Sequence, residues 1–156
     1  MYRFVFALIF AASCMTGVAR AEECTDKVYE GLVLEVKNSD ANRLWDNSVE
    51  LSRRILDECQ PRMAEGDLVK LYDSLSVGLL MQEKYGEAID TAKKCIEQDP
   101  RYNACMMTAA KAYESLGDRT MAEQFAREAI EVGGTDDYSA AVVIYAKDFL
   151  KKLDKK

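Results

Sequence analysis

Five cysteines and no histidine bound the chemistry open to this chain. Without imidazole there is no Ser-His-Asp or Cys-His constellation, no histidine zinc ligand and no side chain whose ordinary pKa lies near neutrality. Cys24, Cys59, Cys95 and Cys105 are spread through the body of the chain, whereas Cys14 lies in an apolar leader. None belongs to a Cys-x-x-Cys motif, so thioredoxin-like exchange and zinc binding lack their signature. Two structural disulfides are the expectation, and four cysteines allow three pairings. The adjacent acids Asp57-Glu58 and Asp136-Asp137 have the chemistry for acid and base work. Such pairs more simply cap helices or stay solvated. The sequence contains no glycine-rich phosphate loop, metal-ligand cluster or activated nucleophile, so neither catalysis nor a metal or cofactor is expected.

At 156 residues the chain suits one domain, and 49% apolar residues with only two prolines point to a helix-rich globule rather than a disordered tail. Residues 1–21 stand apart. Arg3, the nearly unbroken apolar run from Phe4 to Met15, and Ala19-Arg20-Ala21 before Glu22-Glu23 have the layout of a secretory signal peptide. The run ends at Thr16-Gly17, short of the ~20 residues needed to span a bilayer. Phe10-Ala11-Ala12-Ser13-Cys14 resembles a bacterial lipobox with Ala11 where leucine is preferred, so a lipidated Cys14 is the alternative, and membrane attachment is expected only in that case. Losing Arg3 and Arg20 takes the basic count from 21 to 19 against 27 acids, a net charge of −8. A domain so acidic, with no basic stripe, is repelled by nucleic acid. The basic cluster Lys151-Lys152-Leu153-Asp154-Lys155-Lys156 complements a helix C-terminus.

The elements that carry these residues read as helices. Leu68, Leu71, Tyr72, Leu75 and Leu79, then Ala88, Ile89, Ala92, Cys95 and Ile96, recur at intervals of three and four. Glu83-Lys84-Tyr85-Gly86 separates the two helices and Asp99-Pro100 closes the pair. Asn103 to Leu116, the turn Gly117-Asp118, and Thr120 to Val132 before Gly133-Gly134 repeat the pattern. An offset of 34 residues places Tyr72 on Met106, Leu75 on Ala109, Ser76 on Ala110, Leu79 on Tyr113, Ala88 on Ala122, Ala92 on Ala126 and Cys95 on Ala129.

These spacings, with Glu83-Lys84-Tyr85-Gly86-Glu87-Ala88-Ile89 and Cys95-Ile96-Glu97-Gln98-Asp99-Pro100, resemble the tetratricopeptide repeat (TPR) family. Small residues at Ser76, Ala88, Ala110 and Ala122 would let paired helices approach closely. Ala126 departs from the family's usual aromatic, with Phe125 beside it, and Gly134 replaces the closing proline. The resemblance implies an all-α, right-handed α-solenoid of antiparallel helix hairpins. Two repeats are expected within 67–134, at about 69–102 and 103–134. Because repeats bury their apolar sides only against neighbours, two need flanks. A degenerate hairpin is expected over 22–61, with helical spacing in Lys27 to Val36 and Asn42 to Cys59 separated by Asn38-Ser39-Asp40, and with Pro61 to Gly66 as extra loop. A capping helix over 135–156 would present Tyr138, Val142, Tyr145, Phe149 and Leu153 on one face. This layout selects the disulfides. Cys95 and Cys105 flank Pro100 symmetrically on antiparallel helices, and Cys24 and Cys59 lie at the open end of the first hairpin.

In TPR proteins the stripe of the first helix not used for packing lines a concave groove for an extended peptide or partner helix. The resemblance carries this role to Lys70, Asp73, Val77, Leu80 and Met81 and to Ala104, Met107, Lys111, Glu114 and Ser115. Leu80, Met81 and Met107 fit equally well as packing against the first hairpin or the final helix. The lysine and asparagine clamp of chaperone-carboxylate binders is missing, since Asp73 and Val77 occupy its positions in the first repeat. Trp45 suits the core better than an interface. The expectation is a non-catalytic scaffold or adaptor that binds a protein or peptide in a periplasm or equivalent secretory space. The alternatives are a lipidated, membrane-tethered assembly factor and a regulatory subunit of a larger enzyme.

Overall fold

The computed structural model describes residues 24–60, 63–134 and 136–155. The proposed signal peptide and Cys14 lie outside them. The described residues form helices α1 (Asp26–Ala41), α2 (Trp45–Arg54), α3 (Glu65–Met81), α4 (Tyr85–Gln98), α5 (Asn103–Ser115), α6 (Arg119–Val132) and α7 (Asp137–Leu153), with no strand among them. Each helix packs on the next, and α3 and α7 also touch α5. The fold is an all-α helical repeat of antiparallel hairpins, α1–α2, α3–α4 and α5–α6, closed by α7.

Side-chain size accounts for the stacking. Ser76, Ala88, Ala92, Ala110, Ala122, Ala126 and Ala129 have no exposed surface, so the small positions of the 34-residue register stand at helix crossings. Phe125 stacks on Tyr113 with ring centroids 5.6 Å apart and supplies the aromatic contact that Ala126 does not. Between the first two hairpins the close approach is made at Gly78, where an added Cβ would lie 2.6 Å from Val49 Cγ2 of α2.

The three hairpins share one turn. The amides of Leu44, Lys84 and Asp118 each bond the carbonyl five residues back, on Ser39, Leu79 and Tyr113, at 2.8, 3.0 and 2.9 Å. The residue preceding each amide takes positive φ: Arg43 (57°), Glu83 (61°) and Gly117 (80°). The first turn therefore differs from the expected one. Asn38-Ser39-Asp40 lie in the last turn of α1, not at a break, and the side chains of Ser39 and Asp40 are used laterally. Ser39 Oγ bonds the Glu35 carbonyl, Asn47 donates to Ser39, and Ser48 donates to Asp40 at 2.5 Å across the hairpin. The extra loop expected over Pro61 to Gly66 is cut short at its end, since α3 already begins at Glu65, further ahead of its repeat register than α5 at Asn103. α2 ends in a π-helical turn, Ile55–Cys59, whose first and last residues are both fully buried.

Both expected cysteine pairs stand at bonding distance. Cys24 and Cys59 have Cα atoms 5.4 Å apart and tie the start of α1 to the end of the π-helical turn. Cys95 and Cys105, 6.2 Å apart, join α4 to α5.

Candidate functional site

The first helices of the hairpins, α1, α3 and α5, present a face left uncovered by the second helices, and α3 has a depression on either side. Tyr29, Val33 and Lys37 of α1 and Asp67, Lys70 and Ser74 of α3 line one of them, with Ile55 and Leu71 beneath. Tyr29 donates to Asp67 at 3.1 Å, and burial together with that acid pushes its phenol up to about 12. The other depression is an apolar groove between α3, α5 and α7. Val77, Ala104 and Met107 line it from one side and Tyr138, Ala141, Val142 and Tyr145 from the other, with Asp73 at one end.

α7 is held over the groove by polar contacts at its start. Asn103, almost fully buried, donates to the carbonyls of Gly133 and Ser139 at 3.1 and 3.0 Å, which pins the α6–α7 connection to the first turn of α5. Asp136 caps α7 by accepting from the Ser139 hydroxyl at 2.6 Å and the Ser139 amide at 3.0 Å, and these two bonds, the hydroxyl's first, hold its carboxyl below the usual range. The C-terminal half of α7 packs as a cap, with Ala146, Phe149 and Leu153 buried in the cluster that contains Met107, Ala110 and Phe125. Its N-terminal half touches that cluster only through the partly buried Val142. Tyr138 and Tyr145 share a nominal face with Phe149 and Leu153 but are 57% and 45% exposed, because this part of the helix overhangs the groove.

Asp73 is the largely buried charge of the site. The Tyr102 hydroxyl donates to its Oδ2 at 3.2 Å, and the Tyr138 phenol of α7 lies close enough to interact with it. Burial dominates these contacts and lifts the carboxyl from 3.8 to about 6, with the acid Asp40 adding to the rise. Burial and the same carboxylate push the Tyr138 phenol up to about 12 and that of Tyr102 higher still.

The ten stripe residues thus separate in space. Asp73, Val77, Ala104 and Met107 converge on the α7-covered groove, whereas Lys70 faces the depression beside α1. Leu80 is buried in a cluster with Val49 and Ile89, in contact with the first hairpin rather than the groove. Met81 is exposed beside Trp45 at the hairpin turns. Trp45 itself is half-buried at the start of α2, not in the core. Lys111 reaches to 5.7 Å from the Tyr145 ring centroid and forms the groove's rim, Glu114 is half-buried, and Ser115 is exposed at the end of α5. Sequence reasoning missed Tyr29, Val33 and Lys37, the last two of which stand 40 residues before Asp73 and Val77 of the α3 stripe, and the N-terminal half of α7. Among the described residues no cluster of His, Cys, Asp or Glu could hold a metal ion, and no helix is long and apolar enough to cross a membrane.

No protein-family model and no curated protein matches this chain. Solved structures do. The backbone is similar to that of PcrH from Pseudomonas aeruginosa, at a TM-score of 0.74 and 15% identity over 88% of this chain and 99% of that one. It is also similar to the type III secretion translocator chaperone SycD of Yersinia enterocolitica, at 0.69 and 13% over 82% and 91%. The Sgt2 TPR domain of Aspergillus fumigatus matches at 0.62 and 14% over 85% and 84%. At these identities the likeness establishes a TPR-like fold and leaves function to be argued from the site.

Proposed function

We propose that this protein is an exported, non-catalytic scaffold that binds a peptide or a partner helix in the groove between α3, α5 and α7. The observation that carries this reading is the groove itself, where Val77, Ala104, Met107, Val142 and Tyr145 line a depression and α7 overhangs it with aromatic side chains the fold does not bury. Two aromatic residues of one amphipathic helix left half-exposed beside an apolar floor match a surface built to be covered. The similar protein PcrH has been solved in complex with the chaperone binding region of PopD, which supports a peptide-holding role for this shape. The leader-like residues 1–21 support export, as do two cysteine pairs at bonding distance, which need an oxidising compartment to persist.

Val77 and Tyr145 are the residues to perturb, because Met107 is buried and an acid there would unfold the core. A Val77→Glu, Tyr145→Glu double variant, folded by circular dichroism, is expected to lose the proteins that wild type retains in a pull-down from its native compartment. An unchanged set of partners would remove the groove as the binding surface. Intact mass tests export separately, with a mature chain expected to begin at Glu22.

A further inference from the structure

Asp73 is the only charged side chain lining the α3–α5–α7 groove among the described residues. It has neutral company. Tyr102 donates a hydrogen bond to it, the Tyr138 phenol lies nearby, and the Cys105 sulfur 3.7 Å from Oδ1 belongs to a disulfide and has no proton to give. The charge it senses from α1 is that of Asp40, another acid, while Lys70 on its own helix pairs with Asp67 at 4.0 Å. From α5, Lys111 is directed to the Tyr145 ring. No lysine or arginine therefore offsets this carboxylate among the described residues, and the Tyr102 phenol occupies only one of its roughly four acceptor sites. With its pKa lifted to about 6 it is still ionised at neutral pH, so the free protein keeps an uncompensated charge in a largely apolar groove.

We infer that the groove takes a partner segment carrying a lysine or arginine among apolar residues, its cation seated on Asp73 between Tyr102 and Tyr138 and its apolar side chains on Val77, Met107 and Tyr145. The inference rests on the groove being the binding surface. Charge complementarity selects the occupant: an acidic segment would meet Asp73 unpaired, a wholly apolar one would bury it without a counterion, and a cation would satisfy its remaining lone pairs. Arginine fits best, since its planar group both bonds carboxylate and stacks on the phenol rings that frame the site.

The test is a random twelve-residue peptide library displayed on phage and panned at pH 7.5 on the full chain, with groove binders defined as those lost on Val77→Glu. Selected peptides are synthesised and titrated by calorimetry. Groove binders are expected to carry Lys or Arg within an apolar run. Replacing that cation by glutamine should weaken binding to wild type about tenfold or more, and should cost little on Asp73→Asn. Groove binders without a cation would overturn this inference and leave the groove reading standing, as would an equal cost of the glutamine replacement on both proteins. A library that yields no peptide sensitive to Val77→Glu would overturn both.

Discussion

Replacing Asp73 by asparagine should make the protein more stable, by an amount that depends on pH. An ordinary aspartate titrates near 3.8, whereas burial under Tyr102 and Tyr138 raises Asp73 to about 6. A carboxyl whose folded pKa is raised contributes its full stability below the unfolded value. That stability is lost between pH 3.8 and about 6, as the unfolded chain sheds its proton and the folded one resists. At 1.36 kcal/mol per pH unit the penalty above pH 6 reaches about 3 kcal/mol, with roughly 1 kcal/mol already present at pH 4.5. Asparagine keeps the shape and an acceptor for one phenol but has no charge to bury. Urea unfolding of both proteins, disulfides intact, should therefore show the variant gaining about 2 kcal/mol over wild type between pH 4.5 and pH 8, because every other carboxyl cancels in the difference. A difference independent of pH, or an asparagine variant less stable than wild type at pH 8, would refute the view of Asp73 as a charge held at a cost.

The donor to Asp73 predicts the opposite sign. Tyr102→Phe removes a hydrogen bond to the carboxylate and should cost about 1.5–3 kcal/mol at pH 8 and less at pH 4.5, read in the same assay. Ala122→Leu places a branched side chain at a fully buried crossing of α5 and α6 and should cost about 1–3 kcal/mol or more; an unchanged denaturation midpoint would contradict the packing described. Glu83→Gly relieves a positive φ that Gly117 adopts freely in the equivalent turn and should stabilise by about 1 kcal/mol, whereas Gly117→Val should destabilise, both measured by thermal unfolding. Separate Cys→Ser pairs should lower stability by about 3 kcal/mol for the ten-residue loop of Cys95–Cys105 and about 4 for the 35-residue loop of Cys24–Cys59, and a larger loss from the shorter loop would argue against the loop-entropy account.

Much of the stack was legible because its requirement is local. A helix crossing that excludes all but Ala or Ser marks its position by residue type, so Ala88, Ala92, Ala122 and Ala126 show the 34-residue register without coordinates. The pairing of Cys95 with Cys105 followed from the same register, since Pro100 fixes where the chain reverses. The first hairpin was harder to read because its crossing is polar. Ser39 and Asp40 look like caps, and only the bonds they accept across the hairpin from Asn47 and Ser48 show them to be its lateral ties. Arg43 stands in the left-handed turn position that Gly117 would announce and arginine does not.

Residue types and spacing thus determined the helices, the small side chains where they cross and the cysteine partners, because each of these depends on neighbours a few residues away or on one chain reversal. Which part of α7 covers the core and which overhangs a groove was decided only by packing, since Tyr138, Tyr145 and Phe149 share one face by periodicity, and the extent of α5 and α6 beneath them sets their burial. The state of Asp73 belongs to the same class. A carboxyl's charge is governed by what excludes water from it, and here that is Tyr102 and Tyr138, brought over α3 from two other parts of the chain.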